Sequence, residues 1–359
     1  MTQPVRIAVV GGGVYGSQML NCYAAAQRRG LAELVAVADP SQEVRDRHQS
    51  GLGIAGYESV DALLASEALD AVAIATPDHL HLDAVLKAAE AGLHIISQKP
   101  LDVETGRVEQ MMKAVAAKNR LLYVDFHKRF DPGHSRMRDD VRAGRLGRIQ
   151  YGAVHMEDKI VVPSQWLKRW AHESSPSWFL GVHFYDLVTW ILNDRPVRVY
   201  ATGQKGKLAG MGIDTWDSIQ AKVEYAGGAS VNFDLSWILP NGFPSIVNQG
   251  VRLVGEDGVA EVDTQDRGMF AAYEEDTASQ VINPFGAYKV DHPIQGRQLR
   301  GYTYESMTYF LELVQAIKAG TSIASLAGHY PSAEEAMHST WIGQAVDQSL
   351  AQRRIIARD

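Results

Sequence analysis

Between Val5 and Phe126 the chain alternates short runs, apolar at nearly every position, with longer stretches of helical period. The runs are Val5 to Val10, Leu34 to Ala38, Ala71 to Ala75, His94 to Ser97 and Leu121 to Phe126. A strand apolar on both sides of its backbone has to be buried on both faces, so these runs predict a parallel sheet covered by helices. Leu82 to Ala91 and Val103 to Lys118 are two of the connecting helices, and Gly92 supplies a left-handed terminus for the first. After Gly144-Arg145-Leu146-Gly147 the pattern changes. Strand-like runs at Ile149 to His155, Ser218 to Tyr225, Ser230 to Trp237 and Gly250 to Val254 follow with few helices between them. Turn sequences such as Ala226-Gly227-Gly228 and Gly255-Glu256-Asp257-Gly258 separate several. This half predicts an α+β domain with a large, mostly antiparallel open sheet. Helical segments remain at Trp178 to Leu192, Tyr304 to Ala319 and Ser332 to Gln352. The expected domains are therefore 1-126 and 127-359, with the last helix as the segment able to pack back on the first domain. There is no internal repeat.

Length and composition agree with that division. A chain of 359 residues exceeds what one core usually organises. With 46% hydrophobic and 21% charged residues it is neither a disordered nor a fibrous sequence. The formal net charge of -7 gives nucleic acid and anionic membranes no general reason to attract it. A single cysteine, Cys22, excludes an internal disulfide and a thiolate metal cluster, and fits a reducing compartment. No apolar run approaches a membrane span, and Met1-Thr2-Gln3-Pro4 leads into a strand without the pattern of a signal peptide. The expected location is the cytoplasm.

The candidate chemistry begins directly after the first strand. Gly11-Gly12-Gly13-Val14-Tyr15-Gly16 is a G-x-G-x-x-G at the start of a helix. In that context Gly11 makes the tight turn, Gly13 lets the backbone approach a pyrophosphate, and Gly16 lets helix and strand pack closely. The N–H groups and positive dipole end of the helix favour a diphosphate. Asp39 closes the second strand, where a carboxylate accepts both ribose hydroxyls and repels a 2′-phosphate. The nearest downstream cation is Arg45, so NAD is expected over NADP. Thr76-Pro77-Asp78-His79-Leu80-His81 lies at the carboxyl edge of the sheet, where ligands of such folds bind. His79 and His81 point in different directions from a helix and have no third ligand close by, so no metal is expected.

The glycine loop, Thr76-Pro77 with His81, and Gln98-Lys99-Pro100 together resemble the Gfo/Idh/MocA family of glucose-fructose oxidoreductase and inositol dehydrogenase. Val124-Asp125-Phe126-His127-Lys128-Arg129-Phe130-Asp131-Pro132, Gly144 to Ile149, Gly181-Val182-His183-Phe184-Tyr185-Asp186 and the Gly255 to Gly258 turn extend the resemblance over nearly the whole chain. It implies a Rossmann domain and NAD- or NADP-dependent chemistry at a carbinol carbon of a sugar, polyol or related ring. It places the active lysine at Lys99 and the active histidine at His183, and it puts Val14, Tyr15, Thr76, Pro77, His81, Gln98 and Lys99 beside the cofactor. Two positions depart from the family: Gln98 stands where Glu is usual, and Phe179 where Asp is usual, four residues before the histidine.

Oxidising a secondary alcohol requires hydride loss from carbon and removal of the hydroxyl proton. An imidazole at His183 titrates near neutral pH and suits the proton, while Lys99 suits the developing alkoxide or, if burial lowers its pKa, the base role. His127 could contact substrate or cap a turn, and Lys128 and Arg129 read as ordinary surface charges. Asp186 lies one helical turn beyond His183, to share its face or to anchor structure. Trp166, Trp170 and Trp178 stand in the polar stretch before the helix, available to a sugar ring along with Phe179, whereas other aromatics there read as core. His172, Glu173 and Ser174 could hydrogen-bond hydroxyls. The leading expectation is an NAD-dependent sugar or polyol dehydrogenase forming a homodimer or homotetramer. The rivals are a redox-assisted glycoside hydrolase or lyase that retains NAD, and a non-enzymatic NAD-binding sensor.

Overall fold

The computed structural model describes residues 3–274, 279–293 and 296–358. Met1 and Thr2, the first residues of the segment read above as lacking a signal-peptide pattern, lie outside them. The chain divides into two compact units, one comprising residues up to Phe130 with Ala287–Met337, the other Asp131–Gly286 with the residues from His338 onwards.

In the first unit, β1 (Val5–Val10), α1 (Val14–Arg28), β2 (Ala32–Ala38), α2 (Gln42–Leu52), β3 (Ala55–Tyr57), α3 (Val60–Ser66), β4 (Ala71–Ile74), α4 (His81–Glu90), β5 (His94–Ser97), α5 (Thr105–Ala117) and β6 (Leu122–Val124) follow in turn. The strands form one parallel sheet in the order β3-β2-β1-β4-β5-β6. This is the doubly wound order that opens a crevice at the carboxyl ends, where the connections reverse direction between β1 and β4. One face of the sheet, with Val10, Ile74, Ile95 and Val124, packs on Val85, Val108 and Met111 of α4 and α5. The other face, with Val9, Val37 and Tyr123, packs on Met19, Leu20 and Tyr23 of α1. Burial on both sides is what the unbroken apolar runs require. The sixth strand, β3, escapes the sequence reading because Ala55-Gly56-Tyr57 is too short to show a pattern.

The second unit contains α6 (Pro132–Arg142), β7 (Ile149–Lys159), α7 (Val182–Leu192), β8 (Pro196–Gln204), α8 (Lys207–Gly210), β9 (Ser218–Tyr225), β10 (Ser230–Leu239), β11 (Val247–Gly255), β12 (Val259–Asp263), β13 (Met269–Ala271) and β14 (Gln280–Ile282). Back in the first unit come β15 (Tyr288–His292), β16 (Gly296–Arg300) and α9 (Tyr302–Lys318), and the chain ends with α10 (Ala333–Gln352) and β17 (Ile356–Ala357). The large sheet runs β12-β11-β7-β10-β9-β8-β17, antiparallel except where β7 and β10 pair in parallel. β10 alternates cleanly: Val231, Phe233, Leu235 and Trp237 are buried, while Asn232 and Asp234 are exposed. The Tyr185 ring of α7 meets Phe233 edge-on at 5.0 Å, so α7 covers the buried face.

The segment 287–337 was expected in the second domain and instead belongs to the first unit. The reason is the apolar stripe of α9, Met307, Phe310, Leu311 and Val314, which completes the core on the α1 side of the parallel sheet. The last helix is divided, its residues through Met337 grouping with the first unit and those from His338 with the second.

Candidate active site

The parallel sheet brings three loops to one edge. Val10 pairs with Ile74, and Ile74 with Ser97. The ladder continues one bond further, from Ala75 N–H to the Val10 carbonyl and from Gln98 N–H to the Ile74 carbonyl. Gly11, Thr76 and Lys99 therefore stand side by side at the carboxyl ends of adjacent strands.

Two glycines of the loop have distinct steric reasons. Gly11 has φ +91°, and a Cβ there would stand 2.6 Å from the Ala75 carbonyl oxygen. A Cβ on Gly16 would stand 1.8 Å from the carbonyl oxygen of Gly11, so only glycine lets α1 start this close to the turn. Gly13 faces open space. It is also the N-cap of α1, with no side chain capping the helix and no acid in the first turn. The first-turn N–H groups are thus available to a diphosphate, and Val14, 76% exposed, stands beside them.

Asp39 is held by the loop itself: Oδ2 accepts from Gly12 N–H at 2.8 Å and Oδ1 from Ser41 N–H at 2.9 Å. Its remaining lone pairs suit ribose hydroxyls. Two arginines of α2, Arg45 named above and Arg47, come close to this loop. Arg45 donates to the carbonyls of Asp39 and Pro40 at 2.7 and 3.0 Å, and Arg47 to that of Gly12 at 3.0 Å. Both guanidinium groups engage main-chain oxygens.

Thr76 Oγ1 is buried and has no hydrogen-bond partner among the described residues, which fits a cofactor at this edge. Pro77 precedes a single 3-10 turn. His81, expected at the cofactor, is instead a fully buried brace. Its Nδ1 lies 2.9 Å from the Pro100 carbonyl and its Nε2 3.0 Å from that of Thr76, tying the β4 loop to the β5 loop. Lys99 is 9% exposed, directly after β5, and its peptide bond to Pro100 is cis. Burial pushes the Asp78 carboxyl up, against the charges of His81 and Lys99. Gln98 is buried as well and turns its amide away to Asp125, with Nε2 2.6 Å from Oδ2.

Asp125 is the residue the sequence reading passed over. It lies fully buried just beyond β6 and also accepts from the Tyr15 hydroxyl at 2.8 Å and the Ser306 hydroxyl at 2.6 Å. Burial pushes its carboxyl up, while those hydrogen bonds and the Lys99 charge pull it back. Burial, and then the Asp125 charge, push the Tyr15 phenol well up. Tyr15 Oη also lies 3.3 Å from His127 Nδ1. An aspartate ending a buried strand was the available signal. Lys128 and Arg129, read as surface charges, are buried, and Arg129 pairs with Glu335 at 2.7 Å.

In the second unit, a wide i→i+5 turn at Ser177–Gly181 leads into α7 and places His183 in the first turn, 8% exposed. Gly181 is required here, since a Cβ would lie 2.8 Å from the Leu235 side chain and the Tyr185 ring. Phe179 joins Trp170 at 6.0 Å and Trp237 at 6.1 Å in an aromatic cluster. An aspartate there would face two aromatic rings in place of polar partners. Trp178 is corrected from ligand surface to packing: its indole is buried, donates to Asp347 at 2.7 Å and lies against Gly343. Asp186 is buried within α7, whereas Trp166 is 50% exposed and Trp170 partly so. His172 and Glu173 are exposed. Among the described residues no three His, Cys, Asp or Glu side chains group as metal ligands, and no helix is long and apolar enough to cross a membrane.

Comparison with known proteins agrees with this geometry. Residues 5–126 match the oxidoreductase family with NAD-binding Rossmann fold, and residues 134–261 match the GFO/IDH/MocA C-terminal domain. Inositol 2-dehydrogenase of Rhizobium meliloti is 26% identical over 330 residues, covering 91% of this chain and 92% of that protein. The rhizopine catabolism protein MocA of Rhizobium meliloti is 30% identical over 240 residues, covering 66% of this chain and 73% of its own. The structure of scyllo-inositol dehydrogenase from Lactobacillus casei with bound NAD(H) and scyllo-inositol superposes with a TM-score of 0.76 at 18% identity, covering 99% of each chain. With its cofactor loop, its Lys99 edge and both family domains in place, this chain belongs to the Gfo/Idh/MocA family of NAD-binding oxidoreductases.

Proposed function

We propose that this protein oxidises a secondary hydroxyl of a cyclic polyol or sugar, with Lys99 and His183 acting on that hydroxyl. The observation that carries the reading is the alignment of Gly11, Thr76 and Lys99 at the carboxyl ends of β1, β4 and β5. NAD, when bound, would supply the hydride acceptor for the carbinol carbon. Gly13 and the start of α1 would hold its diphosphate, and Asp39 its adenosine ribose. The Lys99 ammonium donates to the carbinol oxygen and stabilises its developing negative charge. The His183 imidazole takes the hydroxyl proton. Trp166, Trp170 and Phe179 offer apolar surface to the C–H face of a ring.

Several relatives are named as dehydrogenases of inositols, and one as a D-glucoside 3-dehydrogenase, which directs the choice to cyclic polyols first and glucosides second. None of those names favours the retained-cofactor lyase or the sensor. We further infer a cytoplasmic homodimer or homotetramer, supported by Tyr151 and Tyr200 exposed on strands of the open sheet. Light scattering of the purified protein tests that assembly.

The test of the activity is NAD reduction, followed by absorbance, with myo-inositol, scyllo-inositol, glucosides and open-chain sugars, repeated with NADP. A rise with NAD and a cyclic substrate, weaker with NADP, is the expected result. A flat trace across the panel, with NAD shown to bind by calorimetry, contradicts it.

A further inference from the structure

We propose that His48 is a positioning residue for the cofactor: from α2 it pins the carbonyl of Gly12, and through that peptide it aims the N–H of Gly13 at the diphosphate. The proposal rests on the reading that the glycine loop holds NAD by its diphosphate.

α2 lies directly against the loop. A Cβ on Gly12 would stand 2.6 Å from Val44 Cγ1 and 3.2 Å from His48 Cδ2, so the missing side chain is what lets this helix approach. His48 is buried there, whereas its neighbours Arg47 and Gln49 are exposed. Its Nε2 lies 2.9 Å from the Gly12 carbonyl oxygen. A carbonyl oxygen only accepts, so the proton in that contact is on Nε2. Arg47 Nη2 reaches the second lone pair of the same oxygen at 3.0 Å, and water competes more for this exposed donor than for the buried one. Ser17 Oγ stands 3.2 Å from that oxygen but turns its one proton to the Gly13 carbonyl at 2.7 Å. The other side of Gly12 is held as well, its N–H donating to Asp39 Oδ2 at 2.8 Å.

The peptide between Gly12 and Gly13 is trans, so its C=O and N–H point in opposite directions. With the carbonyl drawn to α2, the Gly13 N–H points away from α2. Gly13 is exposed, and its N–H donates to no described residue. Such a donor, next to the uncapped start of α1, suits a diphosphate oxygen. The middle position of this G-x-G is itself glycine, and a peptide flanked by two glycines turns over easily. Turned over, it would present a carbonyl oxygen to the anion in place of an N–H. The His48 bond holds it against that inversion.

Calorimetry of NAD binding to the whole chain tests this. His48→Phe keeps a ring and removes the donor, and should raise the Kd for NAD about tenfold. His48→Gln carries a donor at similar reach and should stay within about threefold of the native value. With an active substrate, the phenylalanine variant should raise KM for NAD while kcat at saturating NAD changes less than about twofold. Should His48→Phe fail to fold, His48→Asn, whose amide is too short for the carbonyl, carries the same expectation of an about tenfold loss. Gly13→Val separates this proposal from the reading beneath it. Its side chain meets open space in the unliganded loop and fills the place of the diphosphate, so NAD binding should be lost. Native affinity in Gly13→Val removes the loop reading, and the proposal with it. Loss in Gly13→Val with unchanged affinity in His48→Phe, or with no recovery in His48→Gln, overturns the proposal alone.

Discussion

The two units present their candidate residues in opposite ways. In the first, the sheet is covered on both faces and only its edge is left for chemistry, so backbone does most of the work: glycines at the turn, the open start of α1, strand ends in register. In the second, one face of the sheet is covered by α7 and the candidate groups are side chains, with His183 on that helix and an aromatic cluster drawn from three separate segments. Backbone constraints leave sharp marks in a sequence, because only glycine satisfies them. Side-chain clusters leave weak ones, because an aromatic residue reads the same whether it faces a ligand or a core.

Substitutions can break this contrast, and the largest effect should come where side-chain chemistry stands on the backbone-built edge. Lys99→Ala should lower kcat about a thousandfold or more while NAD affinity by calorimetry changes little. Turnover near the native rate would remove Lys99 from the reaction. His183→Gln should lower kcat about a hundredfold, again with cofactor binding kept, since the unit it belongs to lacks the glycine loop. Gly16→Ala should act the other way, costing about 1–3 kcal/mol of stability in chemical denaturation and weakening NAD, because its Cβ meets a backbone oxygen that cannot move aside. Asp39→Ala should weaken NAD about tenfold to a hundredfold and narrow the preference over NADP. Unchanged selectivity would detach Asp39 from the ribose.

The smallest effect is a control at the far end of β5 from Lys99. Burial, and then the Arg120 charge, lower the His94 imidazole to about 4, and its Nδ1 accepts from Leu121 N–H at 3.1 Å. The unfolded chain then binds a proton that the folded chain refuses, between about 6.5 and about 4, so stability falls as pH drops through that window. The loss should be about 1 kcal/mol per pH unit. His94→Asn keeps an acceptor for Leu121 and cannot titrate, so its denaturation midpoint should depend less on pH across the same range.

The same contrast explains what could be read in advance. The five apolar runs and the close-packed glycines Gly11 and Gly16 were legible because each is a local pattern with one physical cause. Residues 287–337 were misplaced because α9 shows an apolar face without saying which sheet it will cover. His81 looked like a ligand residue because its bracing role depends on Thr76 and Pro100, which the fold brings together. Asp125 went unnoticed for the same reason, since Tyr15, Gln98 and Ser306 come from three distant parts of the chain. Trp178 and Trp170 were indistinguishable until α10 covered one of them.

The most direct test of the central claim follows the hydrogen itself. The protein is incubated with NAD and an inositol deuterated on its ring carbons, and the NADH formed is analysed by mass spectrometry. Our account predicts deuterium on the nicotinamide ring of every NADH made by the native protein, and almost no NADH from Lys99→Ala. NADH without the label, or an equal yield from Lys99→Ala, would contradict it.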